Sequence, residues 1–224
     1  MAAGDMSLGS PARESFIASV GFSPENARAL RQVHSRTVLV ADERSSADLG
    51  ATEADGLVCS GSPALLLTIT VADCLPIFLV DRQTGAFGIL HSGWKGTGIV
   101  LDAVELMRAR FGSTPQDLWV TIGPGIGPCC YDVPHARALE FAGRFGKSAV
   151  VRRGERFFLD LRQANVTLLE AAGIADITVV SDCTCCSPFM GSFRRQGEKA
   201  FARMLAFIGR GAASHATGVT GARR

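Results

Sequence analysis

Four short apolar runs, at 57–59, 64–72, 76–81 and 86–91, constrain the fold more than any other feature of this chain. Glycine, proline and aspartate punctuate them at roughly ten-residue intervals, the spacing of strands joined by tight turns. A strand with one face in water alternates apolar and polar residues. These runs are apolar almost throughout, as strands covered on both faces are. A turn is predicted between Asp81 and Gly85, and the four runs are expected side by side in one sheet. Thr68, Thr70 and Asp73 interrupt the longest stretch, which reads as buried strands rather than a membrane span.

The remaining segments supply the covering layers. Residues 99–111 carry apolar side chains at 100, 101, 104, 107 and 111, a helical period. Residues 160–172 form a second amphipathic helix, with Asp160 as N-cap and Gly173 at its C-terminal end. Helices are also expected over 10–20, 134–145 and from Ser23-Pro24 through 30. Strands are expected at 37–41, 118–122 and 177–181, with hairpins pairing 150–152 with 156–159 and 190–194 with 201–208. Residues 42–55 read as a loop. Residues 1–210 read as a single domain, and 211–224, rich in Gly, Ala, Ser and Thr, as a disordered tail.

Charge excludes two classes of partner. Lys and Arg number 23 against 21 Asp and Glu, well mixed, so the chain presents no electrostatic footprint for nucleic acid or an anionic membrane. Arg223-Arg224 reads as a solvated terminus. The first ten residues lack the pattern of a secretion signal. Seven cysteines, an odd count, argue for reduced thiols and a cytoplasmic location. The oligomeric state is left open.

Chemistry concentrates in three motifs, Gln32-Val33-His34, Ala72-Asp73-Cys74-Leu75-Pro76 and His91-Ser92-Gly93-Trp94. Two imidazoles and a thiolate suit zinc, and three protein ligands leave a tetrahedral position open, as catalytic sites do. Taken singly, each has a plainer reading: a capping histidine, a buried thiol, a strand-end histidine. Their spacing matches no short zinc-finger pattern. Asp73 inside an apolar strand needs a partner, so it is either a hydrogen-bonded support or a proton carrier. Gly123-Pro124-Gly125-Ile126-Gly127-Pro128 is a loop whose backbone can approach a ligand, though no P-loop pattern is present. The adjacent Cys129-Cys130 reads as two alternately facing small residues. Asp182-Cys183-Thr184-Cys185-Cys186 reads as a loop with packed or exposed thiols. Arg194-Arg195 beside a glycine turn can pair with phosphate or stay solvated.

These motifs occur in order with Ala54-Asp55-Gly56-Leu57-Val58, Ile122 to Tyr131 and Asp160-Leu161-Arg162-Gln163-Ala164-Asn165. Together, over roughly residues 4–210, they resemble the YfiH family, long labelled polyphenol oxidase or laccase-domain proteins. The resemblance implies an α/β (α+β) sandwich of mixed β-sheets flanked by helices, and one zinc ion ligated by His34, Cys74 and His91 in a cleft. It implies purine nucleosides as substrates (adenosine, inosine, guanosine, methylthioadenosine) with phosphate as co-substrate, and adenosine deamination as a further activity. Asp73, Cys74 and His91 are then the catalytic candidates, and Gln32, Gly125, Arg194 and Arg195 the candidates to hold substrate or phosphate. The family's first strand, with a Phe-Ser-x-Arg stretch, has no counterpart before Asp5-Met6-Ser7-Leu8, and Ser35 and Lys95 depart from the usual glycine and arginine. Three alternatives are kept: a thiol hydrolase or deamidase with Cys74 as nucleophile and His91 as base, copper-dependent phenol oxidation, for which four histidines are few, and a binding protein whose pocket decayed.

Overall fold

The structure, a computed structural model, describes residues 6–42, 44–62 and 64–210. In chain order it forms α1 (Pro11–Ser19), β1 (Ala27–Arg28), β2 (Val38–Val40), α2 (Ser46–Ala51), β3 (Gly56–Cys59), β4 (Leu66–Val71), β5 (Leu75–Asp81) and β6 (Phe87–Ser92). There follow α3 (Ile99–Phe111), β7 (Leu118–Ile122), β8 (Asp132–Val133), α4 (His135–Phe145), β9 (Val150–Arg153), β10 (Arg156–Leu159), α5 (Leu161–Ala171), β11 (Asp176–Val179), α6 (Phe193–Gln196) and β12 (Met204–Gly209). The expected disordered tail, 211–224, lies outside the described residues. Among the described residues, no helix is long and apolar enough to cross a membrane.

A mixed six-stranded sheet, ordered β11-β7-β5-β6-β3-β2, is the centre of the molecule. Successive side chains of a strand face opposite ways, and here both ways are apolar. Val58, Leu75, Ile77, Leu79, Leu90, Val120 and Ile122 pack with Ile99, Ala103 and Met107 of α3 and with residues of α4 and α5. Leu57, Cys59, Phe87 and Ile89 point to the other face, against Leu67, Ile69 and Val71 of β4, Ala206 of β12 and Leu49 of α2. Helices cover one face and a second sheet, β1-β4-β12, covers the other. This explains the near-continuous hydrophobicity of the four runs. Each such side chain, fully buried, contributes roughly 1.5–3 kcal/mol.

Four expectations are corrected. The run at 64–72 is not a neighbour of 76–81 in one sheet: β4 belongs to the smaller sheet, and residues 72–74 carry the chain across to β5. Asp73 makes that crossing with φ +89°, a left-handed conformation rare outside glycine. The helix expected from Ser23-Pro24 stops after one 3-10 turn, because Ala27 and Arg28 pair in parallel with Leu66 and Leu67. The loop at 42–55 contains α2, capped by Ser45, whose side chain accepts from the Asp48 amide. The final hairpin does not form: Ser192 caps α6, and β12 pairs antiparallel with β4 instead. The other helices and strands fall within a residue or two of their expected ranges, and the predicted caps Asp160 and Gly173 are in place.

Candidate metal centre and substrate cleft

The site gathers at the β4–β5 crossing. Cys74 sits on the crossing itself, His91 near the end of β6, where it is opposite Pro76 of β5, and His34 on the loop between β1 and β2. The ligand atoms of His34, Cys74 and His91 all lie within 4.8 Å of one another, and the two imidazoles meet edge to face with centroids 4.8 Å apart. These three side chains can hold a metal ion. Gly93 makes the approach possible, since a Cβ there would stand 2.8 Å from the Cys74 sulfur and 3.2 Å from the His34 ring.

Asp55 organises the centre from behind, fully buried. One carboxylate oxygen meets His91 Nδ1 at 2.8 Å and also accepts from the His34 amide at 3.0 Å. The other accepts from the amides of Val33 and Ser35 and from the Ser35 hydroxyl. These bonds hold His34 at φ +61°, a second left-handed position among non-glycine residues. They also leave Nε2 as the ring nitrogen that His91 could offer a metal ion. In the sequence, Asp55 stands within a motif without a role of its own. Its signal was a carboxylate at the mouth of an otherwise apolar strand, which must be paired.

Burial alone would raise the Cys74 thiol. The charge on His91 and hydrogen bonds from His34 and His91 outweigh it and bring the group down to about 6. Desolvation likewise pulls His91 down, but the Cys74 thiolate and Asp55 raise it to about 9. Without metal, the pair is a thiolate facing an imidazolium.

Asp73 accepts from the Thr184 hydroxyl at 2.6 Å and from the Arg194 amide at 2.7 Å, while its carbonyl accepts from Ile126 N at 2.7 Å. It thereby joins three chain segments at the cleft wall. Gln32 lines the cleft with both ends of its amide bonded to Thr70. Arg194 lines it too, its guanidinium 5.4 Å over the Tyr131 ring and bonded to the carbonyls of Cys130 at 3.3 Å and Asp132 at 3.2 Å. Arg195 and Gly125 are placed otherwise. The Arg195 guanidinium binds the carbonyls of Thr184, Cys185, Ser187 and Met190 and so braces a loop. Gly125 lies against Leu75 and the Asp73 carbonyl, where a Cβ would be 2.6 and 2.9 Å from them.

Above the centre opens a cavity of about 620 Å³. Its rim alternates rings and cations. Arg137 and Lys95 lie 4.5 and 5.8 Å over Trp94, and Arg203 lies 4.3 Å over Phe201. Trp94 shows in the sequence only as part of the His91 motif, and Arg137, Phe201 and Arg203 carry no signal there, because they come from segments brought together only by folding.

Two thiol-bearing loops also meet beside the cleft. The alternating side chains expected of Cys129-Cys130 do not occur, because 128–130 is a turn and not a strand. The sulfur atoms of Cys129, Cys130, Cys183 and Cys186 lie within 4.8 Å of one another.

The family model described as multi-copper polyphenol oxidoreductase laccase matches residues 9–211. The chain belongs to this family, the YfiH family. The solved YfiH family member from Bacillus licheniformis, a hypothetical protein, superposes with a TM-score of 0.81 at 31% identity, covering 88% of this chain and 79% of that one. YlmD from Geobacillus stearothermophilus gives 0.82 at 31%, covering 93% and 85%. A Deinococcus radiodurans relative named purine nucleoside phosphorylase is 35% identical over 199 residues, 88% of this chain and 75% of its own length. The curated Geobacillus stearothermophilus relative, named purine nucleoside phosphorylase YlmD, is 37% identical over 164 residues, and the match spans 60% of its length. The mixed α/β architecture is thus shared with solved YfiH family members.

Proposed function

We propose that the cleft is the active site of a purine nucleoside phosphorylase, with zinc held by His34, Cys74 and His91. One observation carries the reading: aromatic rings and guanidinium groups share the rim of a cavity floored by that triad. Flat rings suit a purine, and guanidiniums suit phosphate. The names of the Deinococcus and Geobacillus relatives agree with it. Two imidazoles and a thiolate fit zinc better than a multi-copper centre. Held by these three side chains, the ion would supply Lewis acidity at the cleft floor.

The chain's own residues bind and orient. Trp94 and Tyr131 stack the base. Arg194, with Arg137 and Lys95 across the rim, holds phosphate so that an oxygen attacks the anomeric carbon. The bond to the base breaks, and the base leaves with the electron pair and takes up a proton. Asp73 positions Arg194 through its amide. Adenosine deamination is a second reaction for the same cleft, and a cytoplasmic setting with free thiols belongs to the same proposal.

A rival use of the same atoms has its own support. Cys74, His91 and Asp55 form the nucleophile, base and orienting carboxylate of a thiol hydrolase. The experiment is phosphate-dependent base release from inosine, adenosine, guanosine and methylthioadenosine, with metal measured on the same sample. His91→Ala should lose zinc and phosphorolysis together. Turnover that survives this substitution, or base release indifferent to phosphate, overturns the proposal; metal-free protein alkylated only at Cys74 favours the rival.

A further inference from the structure

We propose that Cys129, Cys130, Cys183 and Cys186 bind a second zinc ion, a structural one, that clamps the 123–131 loop to the 182–187 loop. The spacing of the sulfurs is the first ground. Cys186 Sγ lies 3.6 Å from Cys129 Sγ and 3.4 Å from Cys130 Sγ, and all four lie within 4.8 Å of one another. Four sulfurs about 2.3 Å from a central zinc stand about 3.8 Å apart, whereas a disulfide brings two to about 2.05 Å. Separations of 3.4 and 3.6 Å are close to the edge of such a tetrahedron and far outside a disulfide bond.

The frame that holds these thiols is independent of any ion. Residues 57 apart in sequence are brought together by a bridge between Gly125 and Cys183, and the Thr184 amide donates to the Gly125 carbonyl at 3.1 Å. Nη2 of Arg162 binds the Gly125 and Asp182 carbonyls, one from each loop, at 2.7 and 2.6 Å. The Gly127 amide donates to Cys183 Sγ at 3.2 Å, the kind of outer contact that supports a metal-bound thiolate. Gly127 also admits the cluster, since a Cβ there would stand 3.2 Å from Cys129 Sγ and 3.1 Å from Arg162 Nη1.

Charge is the second ground. Binding displaces four thiol protons, and four thiolates around a divalent cation leave a net charge of −2, so such a site needs positive neighbours. Arg162 is only 8% exposed, and its Nε has no hydrogen-bond partner. Arg194 reaches the Cys130 carbonyl and Arg195 the Cys185 carbonyl. Arg162 is the guanidinium bonded to both loops, and a tetrathiolate between them would give it a counterion. Four protein ligands leave no open position, so the ion is structural and not catalytic. It would steady Tyr131, which lines the cleft, and Thr184, whose buried hydroxyl donates to Asp73 at the cleft wall.

The test is metal analysis of the protein as purified under reducing, anaerobic conditions. Two zinc ions per chain are expected. One should remain in His34→Ala/His91→Ala and one in Cys183→Ser/Cys186→Ser, so failure of the cleft site and of the thiol site are read separately. Should the cysteine variant not fold, cobalt loaded into the histidine variant serves: intense sulfur-to-cobalt charge-transfer bands with tetrahedral visible bands support the site. Zinc that the cysteine variant keeps in full, a cobalt spectrum of the histidine variant without thiolate bands, or an intact mass two hydrogens light, as for a disulfide, overturns it; a single wild-type zinc that only the cysteine variant loses supports it and counts against the cleft site alone.

Discussion

Asp55 holds His91: Oδ1 meets Nδ1 at 2.8 Å, and the same carboxylate gathers the backbone that presents His34. One buried side chain thus orients two of the three proposed ligands. Asp55→Asn keeps the shape but weakens the acceptor on His91. We expect zinc affinity to fall about 10–100-fold, measured by competition with a chromophoric chelator. Unchanged affinity would mean that His91 is oriented by something else.

The Cys74 thiol, held at about 6, makes a second prediction. A lowered thiol pKa means thiolate above that value and thiol below it. In metal-stripped protein, alkylation of Cys74 should be nearly flat from pH 9 to 7 and fall as pH drops through 6. Cys59, pushed up to about 12 by burial, should stay unmodified over that range. Peptide mapping after iodoacetamide distinguishes the two; Cys74 labelling that rises only above pH 8 contradicts the thiolate. Added zinc should protect Cys74.

Asp73 stands at φ +89°. Asp73→Gly and Asp73→Ala both delete the bonds to Thr184 and Arg194, but only glycine relaxes the backbone. The glycine variant should be the more stable by about 1 kcal/mol, read from urea denaturation. Equal midpoints would show that the backbone there carries no strain.

Gly93→Ala places a methyl group 2.8 Å from the Cys74 sulfur. The fold should survive, by circular dichroism, while turnover falls about 100-fold, the cost of moving a reacting group by an ångström. Full turnover would show that the site tolerates a wider triad.

The central sheet was legible because its strands are apolar on both faces, a pattern that needs two covering layers whatever the topology. Which run joined which sheet was not. Leu66 to Val71 resembles Leu75 to Asp81 in composition, and only the crossing at Asp73 separates them. The triad could be proposed because each member sits in its own motif. Its convergence, and the part played by Asp55, depend on a loop folded around a buried carboxylate. The cysteine pair was misread because alternation belongs to strands, and 128–130 is a turn.

The pairing of β12 with β4, Met204 opposite Val71, has a consequence for the newborn chain. Phe201 and Arg203 reach the cleft rim only when β12, the last strand among the described residues, pairs with one synthesised some 130 residues earlier. A ribosome-bound chain can collapse around the central sheet well before that. A chain cut before β12 would therefore keep every strand of the central sheet and lack part of the cleft wall.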